Sequence, residues 1–268
     1  MKRSLMLENN REKKFFTKRF YPAGTYTWSV PRGCTEVEVF VVGAGGGALT
    51  DRNNRASSGG GGGYTKTYRG RNYVKPSSGT WMGSSTDGRD GNAIPVKSGQ
   101  QIEIIVGAGV AGSKGGYSQF MNSNYQADGG HAGAVVISGH GDGNGGSGGA
   151  ATDSIKGGSD GSDGDNSTTV PVTGGIGQNH TTRDFGEPTG KRNAGGGTSV
   201  RNGGNTVGGI SDYYEGSGEA GTGPNVSGYL PGKSGGGYGG GAGAPTTANT
   251  NKKGGDGTVL IRYWAYEE

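Results

Sequence analysis

The chain has 268 residues, of which 64 are glycine, and its net charge is +4. Leu, Ile, Val and Phe together number 37, about 14% of the residues, which excludes an ordinary hydrophobic core for most of the chain. Residues 1–19 carry a charge of +5 and the remainder sums to −1. We therefore do not expect a nucleic-acid binder, in which positive charge would follow a groove across the folded surface.

This composition leaves two alternatives, disorder or a fold packed through its backbone. Glycine loses more entropy on folding than any other residue, which favours disorder. Segments with clear β periodicity argue for order, and they lie at 35–42, 101–106 and 258–264. Polyproline II chains point their amides and carbonyls outward, and glycine lets such chains approach closely enough to bond one another. We expect this packing in the runs 43–47, 59–63, 145–149 and 235–243.

Residues 1–14 form a basic N-terminal arm, which the sequence predicts to be either a frayed tail or a docking segment. The arm has no apolar run long enough for a signal peptide, and no stretch of the chain is apolar enough to span a bilayer. The expected docking residues are Lys2, Arg3, Leu5, Leu7, Arg11, Lys13 and Lys14.

Residues 15–268 are predicted to form one glycine-rich domain. Residues 15–30 predict two aromatic-rich strands joined by a turn at 22–24. The strand at 35–42 places Val37, Val39 and Val41 on one face and then continues into glycine. The single cysteine, Cys34, excludes an internal disulfide and is expected to be a small buried residue.

The middle of the chain predicts fewer regular elements. The alternating segment 64–73 indicates a hairpin arm or a surface loop, and the pair Trp81 and Met82 indicates either a binding tip or a cover for the frame. After the strand at 101–106 the sequence is of low complexity up to residue 257, and the last strand is expected to pair with the first ones. We predict no helix of ordinary length after residue 14.

Four motifs, in a fixed order, carry a resemblance to a known family. They are VVGAGGG at 41–47, GGGGGY at 59–64, IEIIVGAG at 102–109 and GGDGTVLIRY at 254–263. Over residues 15–264 the chain resembles the glycine-rich domain of bacteriophage tail-fibre adhesins and related virion proteins. The resemblance implies an all-β fold, with a jelly-roll-like β-sandwich frame that carries packed polyglycine II helices and long surface loops. It also implies that tip loops bind receptors on the host surface, and trimers are common among such proteins.

Two glycine motifs invite a nucleotide-binding interpretation that we do not favour. Residues 107–112 match GxGxxG after a strand, but the following Ser-Lys-Gly-Gly does not predict the helix that a dinucleotide site needs. Residues 228–234 resemble a P-loop, yet Ser227 stands where the first glycine is required. Packed glycine turns explain both motifs better.

No other cluster predicts a cofactor, a metal site or catalysis. The Asp-Gly stretches resemble calcium loops but lack their length and closing glutamate, so turns are the favoured explanation; they contain Asp87, Asp90, Asp160, Asp163 and Asp165. The three histidines lie at 131, 140 and 180 without ligand spacing. No Ser, His and Asp set stands on a recognisable scaffold, so we expect no enzyme.

We therefore expect a non-enzymatic structural protein of the phage virion, assembled in the host cytoplasm and present on the extracellular particle. Its arm would dock on other virion proteins, and its loops would bind a host-surface glycan or protein; a homo-oligomer, with a trimer favoured, is expected. One alternative is an architectural component, such as a head fibre, decoration or tail-assembly protein, without a receptor. Another is a calcium-dependent bacterial surface protein. The candidate receptor contacts are Tyr64, Tyr68, Tyr73, Trp81, Tyr125, Tyr213, Tyr214 and Tyr229.

Overall fold

A computed structural model describes residues 12–48, 60–69, 91–133, 184–187, 190–191, 193–195, 197, 238–242 and 252–267. Their strands form two facing sheets, and every neighbouring pair is antiparallel except β4 and β5. The first sheet contains, in spatial order, β1 (Lys13–Phe20), β10 (Thr258–Tyr266), β3 (Glu36–Val42), β4 (Thr65–Arg69) and β5 (Gly91–Asn92), and β6 (Ile94–Pro95) also pairs with β3. The second sheet contains β2 (Gly24–Ser29), β7 (Gln101–Val106), β8 (Ser118–Phe120) and β9 (Gln126–Ala127).

The main apolar core lies between the two sheets. Alternation along β3 turns Val37, Val39 and Val41 into this core, because successive side chains of a strand point to opposite faces. Ile102 and Ile104 of β7 contribute from the second sheet. A smaller cluster covers the outer face of the first sheet, and it consists of Phe40, Val42, Phe185, Ala194 and Leu260. The expected all-β sandwich is confirmed.

Glycine-rich segments continue directly from the strands and pack together beyond one end of the sandwich. We call them the glycine bundle, and the described parts are 43–48, 60–64, 107–116, 128–133, 193–195, 197, 238–242 and 252–257. Segment 43–48 continues from β3, and segment 252–257 leads into β10. The frame and the bundle are therefore built from the same continuous stretches of chain.

Hydrogen bonds from segment 43–48 show a three-residue repeat. Its successive amides donate to three neighbouring segments in turn, so that every third amide returns to the same neighbour. The bonds run from Gly43 to Tyr64, Ala44 to Gly116, Gly45 to Gly255, Gly46 to Gly61, Gly47 to Ser113 and Ala48 to Lys252, at 2.8–3.0 Å. Three residues per turn with lateral bonding is the geometry of packed polyglycine II helices, which confirms this expectation for residues 43–47.

The bundle is packed too closely for side chains at its contacts. A Cβ added to Gly46 would lie 1.9 Å from the carbonyl oxygen of His131, and one added to Gly45 would lie 1.9 Å from that of Gly240. Similar contacts occur for Gly60, Gly62 and Gly63 in the run 59–63 and for Gly241 in the run 235–243. The run 145–149 lies outside the described residues. Backbone atoms thus occupy the space that side chains fill in an ordinary core.

Most predicted strands are present, and one segment differs from its prediction. Strands β3, β7 and β10 lie at the predicted positions, and β10 pairs with both β1 and β3. The aromatic segments at 15–30 become β1 and β2, which belong to different sheets. The described part of 64–73 is neither a hairpin arm nor a surface loop, because β4 lies between β3 and β5. Cys34 is buried, as expected.

Candidate functional site

The strand directions give the molecule two distinct ends. Strand β3 runs from Glu36 towards the bundle, and β1 and β10 pair so that Lys13 lies opposite Tyr266 at the other end. We call this other end the base, and we call the end of the bundle farthest from the strands the bundle tip. Residues 1–11 precede Lys13, so the predicted arm is attached at the base.

Four stretches outside the described residues begin at the bundle tip. Hydrogen bonds link the tip residues to one another or to adjacent turns of the bundle. The stretch 49–59 joins two tip residues, 243–251 joins two more, and 134–183 and 198–237 each begin after a tip residue. The tip residues are Ala48, Gly60, Gly112, Gly133, Gly197, Ala242 and Lys252. The described residues from which these four stretches start therefore lie at one end of the bundle.

The stretch 70–90 is attached near the base, at the end of the molecule opposite the bundle tip. Strand β4 pairs antiparallel with β3, so that it runs away from the bundle and ends at Arg69 near the base. Strand β5 then starts beside Tyr68 and Arg69. The candidates Tyr73 and Trp81 thus belong to a stretch attached at the base, whereas Tyr213, Tyr214 and Tyr229 belong to one that begins at the tip; all five lie outside the described residues.

Two candidate tyrosines, Tyr68 and Tyr125, are brought together on the flank of the sandwich. Their rings meet edge to face with centroids 5.2 Å apart, and the Tyr68 hydroxyl donates to the Asn124 carbonyl at 3.1 Å. Burial raises the pKa of Tyr68 to about 12, with a smaller contribution from Tyr125. Both rings are partly exposed. Tyr64, by contrast, is only 4% exposed, so its ring is not available to a partner on this surface.

The docking residues Lys13 and Lys14 are the first two residues of β1 rather than part of a separate arm. Lys14 forms an exposed ion pair with Glu267 at 2.5 Å, and the Lys13 ammonium lies 5.7 Å from the centre of the Tyr266 ring. The other expected docking residues, Lys2, Arg3, Leu5, Leu7 and Arg11, lie outside the described residues.

An aromatic surface around β1 was not predicted from the sequence. Phe15 and Trp264 are 49% and 57% exposed, and their ring centroids lie 5.3 Å apart on the outer face of the first sheet. On the inner side a cleft of about 440 Å³ opens between β1 and β2. It is lined by Phe16, Lys18, Thr27, Trp28, Ser29, Pro31, Tyr263, Tyr266 and Glu267. The alternation in KKFFTKRF is the signal that could have revealed aromatic residues on both faces.

A short strap, Asp184–Glu187, anchors a remote part of the chain to the outer face of the first sheet. Phe185 is buried against Phe40, and the Arg262 guanidinium lies 3.6 Å from its ring centre. Glu187 bridges Arg69 at 3.0 Å and Arg262 at 2.9 Å. The strap thus holds residues 184–187, which follow the stretch 134–183, on the outer face of the first sheet.

The GxGxxG segment at 107–112 belongs to the glycine bundle. An added Cβ at Gly109 would lie 1.8 Å from the Gly254 carbonyl oxygen, so backbone already fills the space beside it. The Gly109 amide donates to Asp256 at 3.0 Å. Packed glycine, as favoured from the sequence, therefore accounts for this motif.

Within the described ranges, no three His, Cys, Asp or Glu side chains converge in a way that could hold a metal ion. All five aspartates of the calcium-like stretches lie outside these ranges, as do His140 and His180. His131 is exposed on the bundle. The two described helices, Ser123–Tyr125 and Asp184–Gly186, have three residues each, and neither could cross a membrane.

Comparison with known families agrees with this architecture. A family model described as a glycine-rich domain matches residues 21–264. The chain belongs to this glycine-rich domain family. The match covers the second sheet, the described glycine bundle and the strands of the first sheet other than β1, which precedes residue 21; β10 extends two residues past its end. No curated protein matches the chain.

Proposed function

We propose that the chain is a non-enzymatic structural protein of the bacteriophage virion, of the tail-fibre or adhesin type. In this proposal the base docks on other virion proteins, and the chain segments at the bundle tip bind a glycan or protein on the host surface. The proposal rests on one observation, that different chain segments are attached at the two opposite ends of the molecule. The arm is attached at the base, and four stretches outside the described residues begin at the opposite end.

The construction of the bundle supports a display function. Its described interior is held by backbone hydrogen bonds and close glycine contacts, which do not depend on the side chains of the connecting segments. Connecting segments can therefore vary in sequence and length without disturbing the support, as in other scaffolds that carry binding loops. Aromatic side chains held on such a support lose little entropy when they bind.

The two ends of the molecule divide five of the candidate contacts into two groups. Tyr213, Tyr214 and Tyr229 belong to the stretch that begins at the tip, and we assign them to host binding. Tyr73 and Trp81 belong to the stretch at the base, and we assign them to the docking end, as we do the arm. The phage context is supported by the four ordered glycine and strand motifs, and the same resemblance supports a homo-oligomer, with a trimer favoured.

Two variants of the full-length protein test the proposal. Replacing residues 211–230 with a Gly/Ser sequence of equal length should abolish binding to host cells and leave incorporation into particles intact. Deleting residues 1–11 should prevent incorporation while the purified protein still binds cells. A replacement of 243–251 by the same Gly/Ser composition is the matched control for altering a stretch at the tip.

Two results would contradict the proposal. If replacement of every stretch that begins at the tip leaves infection and cell binding intact, the protein is an architectural component without a receptor. If deletion of residues 1–11 has no effect on incorporation, the base does not dock through the arm. Circular dichroism of each variant establishes that the sandwich is still folded.

A further inference from the structure

Strand β1 is an edge of the first sheet. It pairs with β10 on one side, and its other side has no backbone partner among the described residues. An unpaired edge exposes a row of amides and carbonyls that can accept another strand. The free side lies beside the cleft between β1 and β2, where the two sheets leave their edges open.

The side chains of β1 give this edge a strongly basic character. It carries Lys13, Lys14, Lys18 and Arg19 and no acidic residue. Arg19 is paired with Asp184 at 2.6 Å, on the outer face. Lys14 is paired with Glu267, whereas neither Lys13 nor Lys18 forms an ion pair with a described residue. The Lys13 ammonium lies 5.7 Å from the centre of the Tyr266 ring, and the Lys18 ammonium lies 5.4 Å from the centre of the Phe20 ring. The edge therefore retains positive charge that a partner strand can neutralise.

The cleft supplies a place for apolar side chains of an added strand. Alternation turns Phe16 and Lys18 towards the cleft, and the Phe16 ring stacks on Tyr263 with centroids 5.5 Å apart. On the other face Phe15 and Trp264 form an exposed apolar surface beside the same edge. Aromatic contacts on both faces suit a strand whose side chains alternate.

We propose that β1 accepts an extended segment of another virion protein, in which acidic residues alternate with apolar ones. The segment adds a strand to the first sheet and its backbone bonds to β1. Its apolar side chains enter the cleft, and its carboxylates lie on the opposite face, beside Lys13. This inference deepens the docking half of the proposed function and rests on it, because β1 lies next to the arm.

A second copy of this chain is a poorer occupant of the same edge. Antiparallel pairing of two β1 strands centred on Phe16 would place Lys14 opposite Lys18 and Lys13 opposite Arg19 at both ends of the pair. Like charges directly opposite each other destabilise a strand pair. The charge on the edge therefore selects against self-pairing and in favour of an acidic partner.

The test uses the full-length protein and a synthetic peptide of about eight residues in which Glu alternates with Val or Phe. Binding is measured by fluorescence anisotropy, and amide exchange is followed by NMR. We expect protection to appear at alternate β1 amides, those directed away from β10, because only these can bond to an added strand. We expect Lys13→Glu to weaken binding roughly tenfold and to create binding of the corresponding Lys peptide. Lys114→Glu, in the bundle, is the control and should change neither.

Several results would overturn the inference. One is equal binding of a peptide whose alternate amides are N-methylated, since it cannot form the strand pairing. Another is binding that the charge reversal leaves unchanged, and a third is concentration-dependent dimerisation that occupies β1 in the peptide-free protein. These outcomes concern only the edge, so host binding through residues 211–230 would still test the proposed function separately.

Discussion

At the residue scale, the most constrained positions are glycines that contact backbone rather than side chains. Gly46 does not have the positive φ that would itself require glycine, so only the proximity of His131 excludes a side chain there. Gly99 is the opposite case, because its φ is +79° and an added Cβ would meet nothing within 4 Å. The two positions separate close packing from backbone strain as reasons for glycine.

Gly46→Ala should therefore lower the free energy of unfolding by more than about 3 kcal/mol, because backbone on both sides must move. Gly99→Ala should cost only about 1–2 kcal/mol, the strain of a left-handed conformation. Urea unfolding followed by circular dichroism measures both. Equal losses at the two sites would show that the bundle contact is not close.

Asp256 links the bundle to the turn between β1 and β2. Its carboxylate accepts from the Gly109 amide at 3.0 Å and the Ala23 amide at 3.4 Å, and it pairs with Lys253 at 3.0 Å. Burial alone would raise the pKa of Asp256, but the hydrogen bonds from Gly109, Lys253 and Ala23 outweigh it and hold the pKa below its usual value. The charged form therefore stabilises the fold.

A carboxyl whose pKa is lowered by folding stabilises the protein above its unfolded pKa of about 3.9, and this contribution disappears as the pH falls through the folded value. At neutral pH, Asp256→Asn should lower the free energy of unfolding by about 1–2 kcal/mol. The difference from wild type should shrink in acid. Urea unfolding at neutral and acidic pH provides the measurement, and a difference that grows in acid would contradict the assignment.

At the element scale, the strap Asp184–Glu187 shows how an isolated segment is held on a sheet. Its buried aromatic residue and its carboxylates contact side chains from β1, β3, β4 and β10. Phe185 adopts a φ of 53°, an uncommon conformation for a bulky residue that the surrounding contacts impose.

Phe185→Ala should lower the free energy of unfolding by about 3 kcal/mol, because the side chain is 1% exposed and its removal leaves a cavity. Phe15→Ala is the matched control, since Phe15 is 49% exposed and its loss should cost less than about 1 kcal/mol. Thermal unfolding of the two variants provides the comparison. A smaller loss for Phe185→Ala than for Phe15→Ala would mean that the strap is not docked.

The elements differed in how far the sequence predicted them. Strands β3 and β7 were predictable because their apolar residues alternate around a core. Strand β4 was not, because its buried residues on the outer face are Thr65 and Thr67, which look like surface residues in the sequence. The strap could not be predicted, since Phe185 meets partners that lie far away along the chain.

At the scale of the whole molecule, the sequence predicted a body packed through its backbone. It did not predict at which end of that body each connecting stretch begins. Which stretches leave at the tip and which at the base depends on strand direction, and this requires the pairing of β3 with β4 and β10. The candidate tyrosines therefore share a residue type in the sequence, whereas the structure separates them by position. The aromatic edge at β1 also needed the sheet order to be recognised.

The central claim is that the glycine bundle is a specific hydrogen-bonded structure, and amide hydrogen exchange of residues 43–48 tests it most directly. These amides belong to no strand or helix, yet each has a backbone acceptor at 2.8–3.0 Å. We predict that they exchange as slowly as the amides of β3 and β10, through unfolding of the whole domain. Exchange of residues 43–48 at the rate of an unstructured chain, while β3 and β10 stay protected, would contradict the claim.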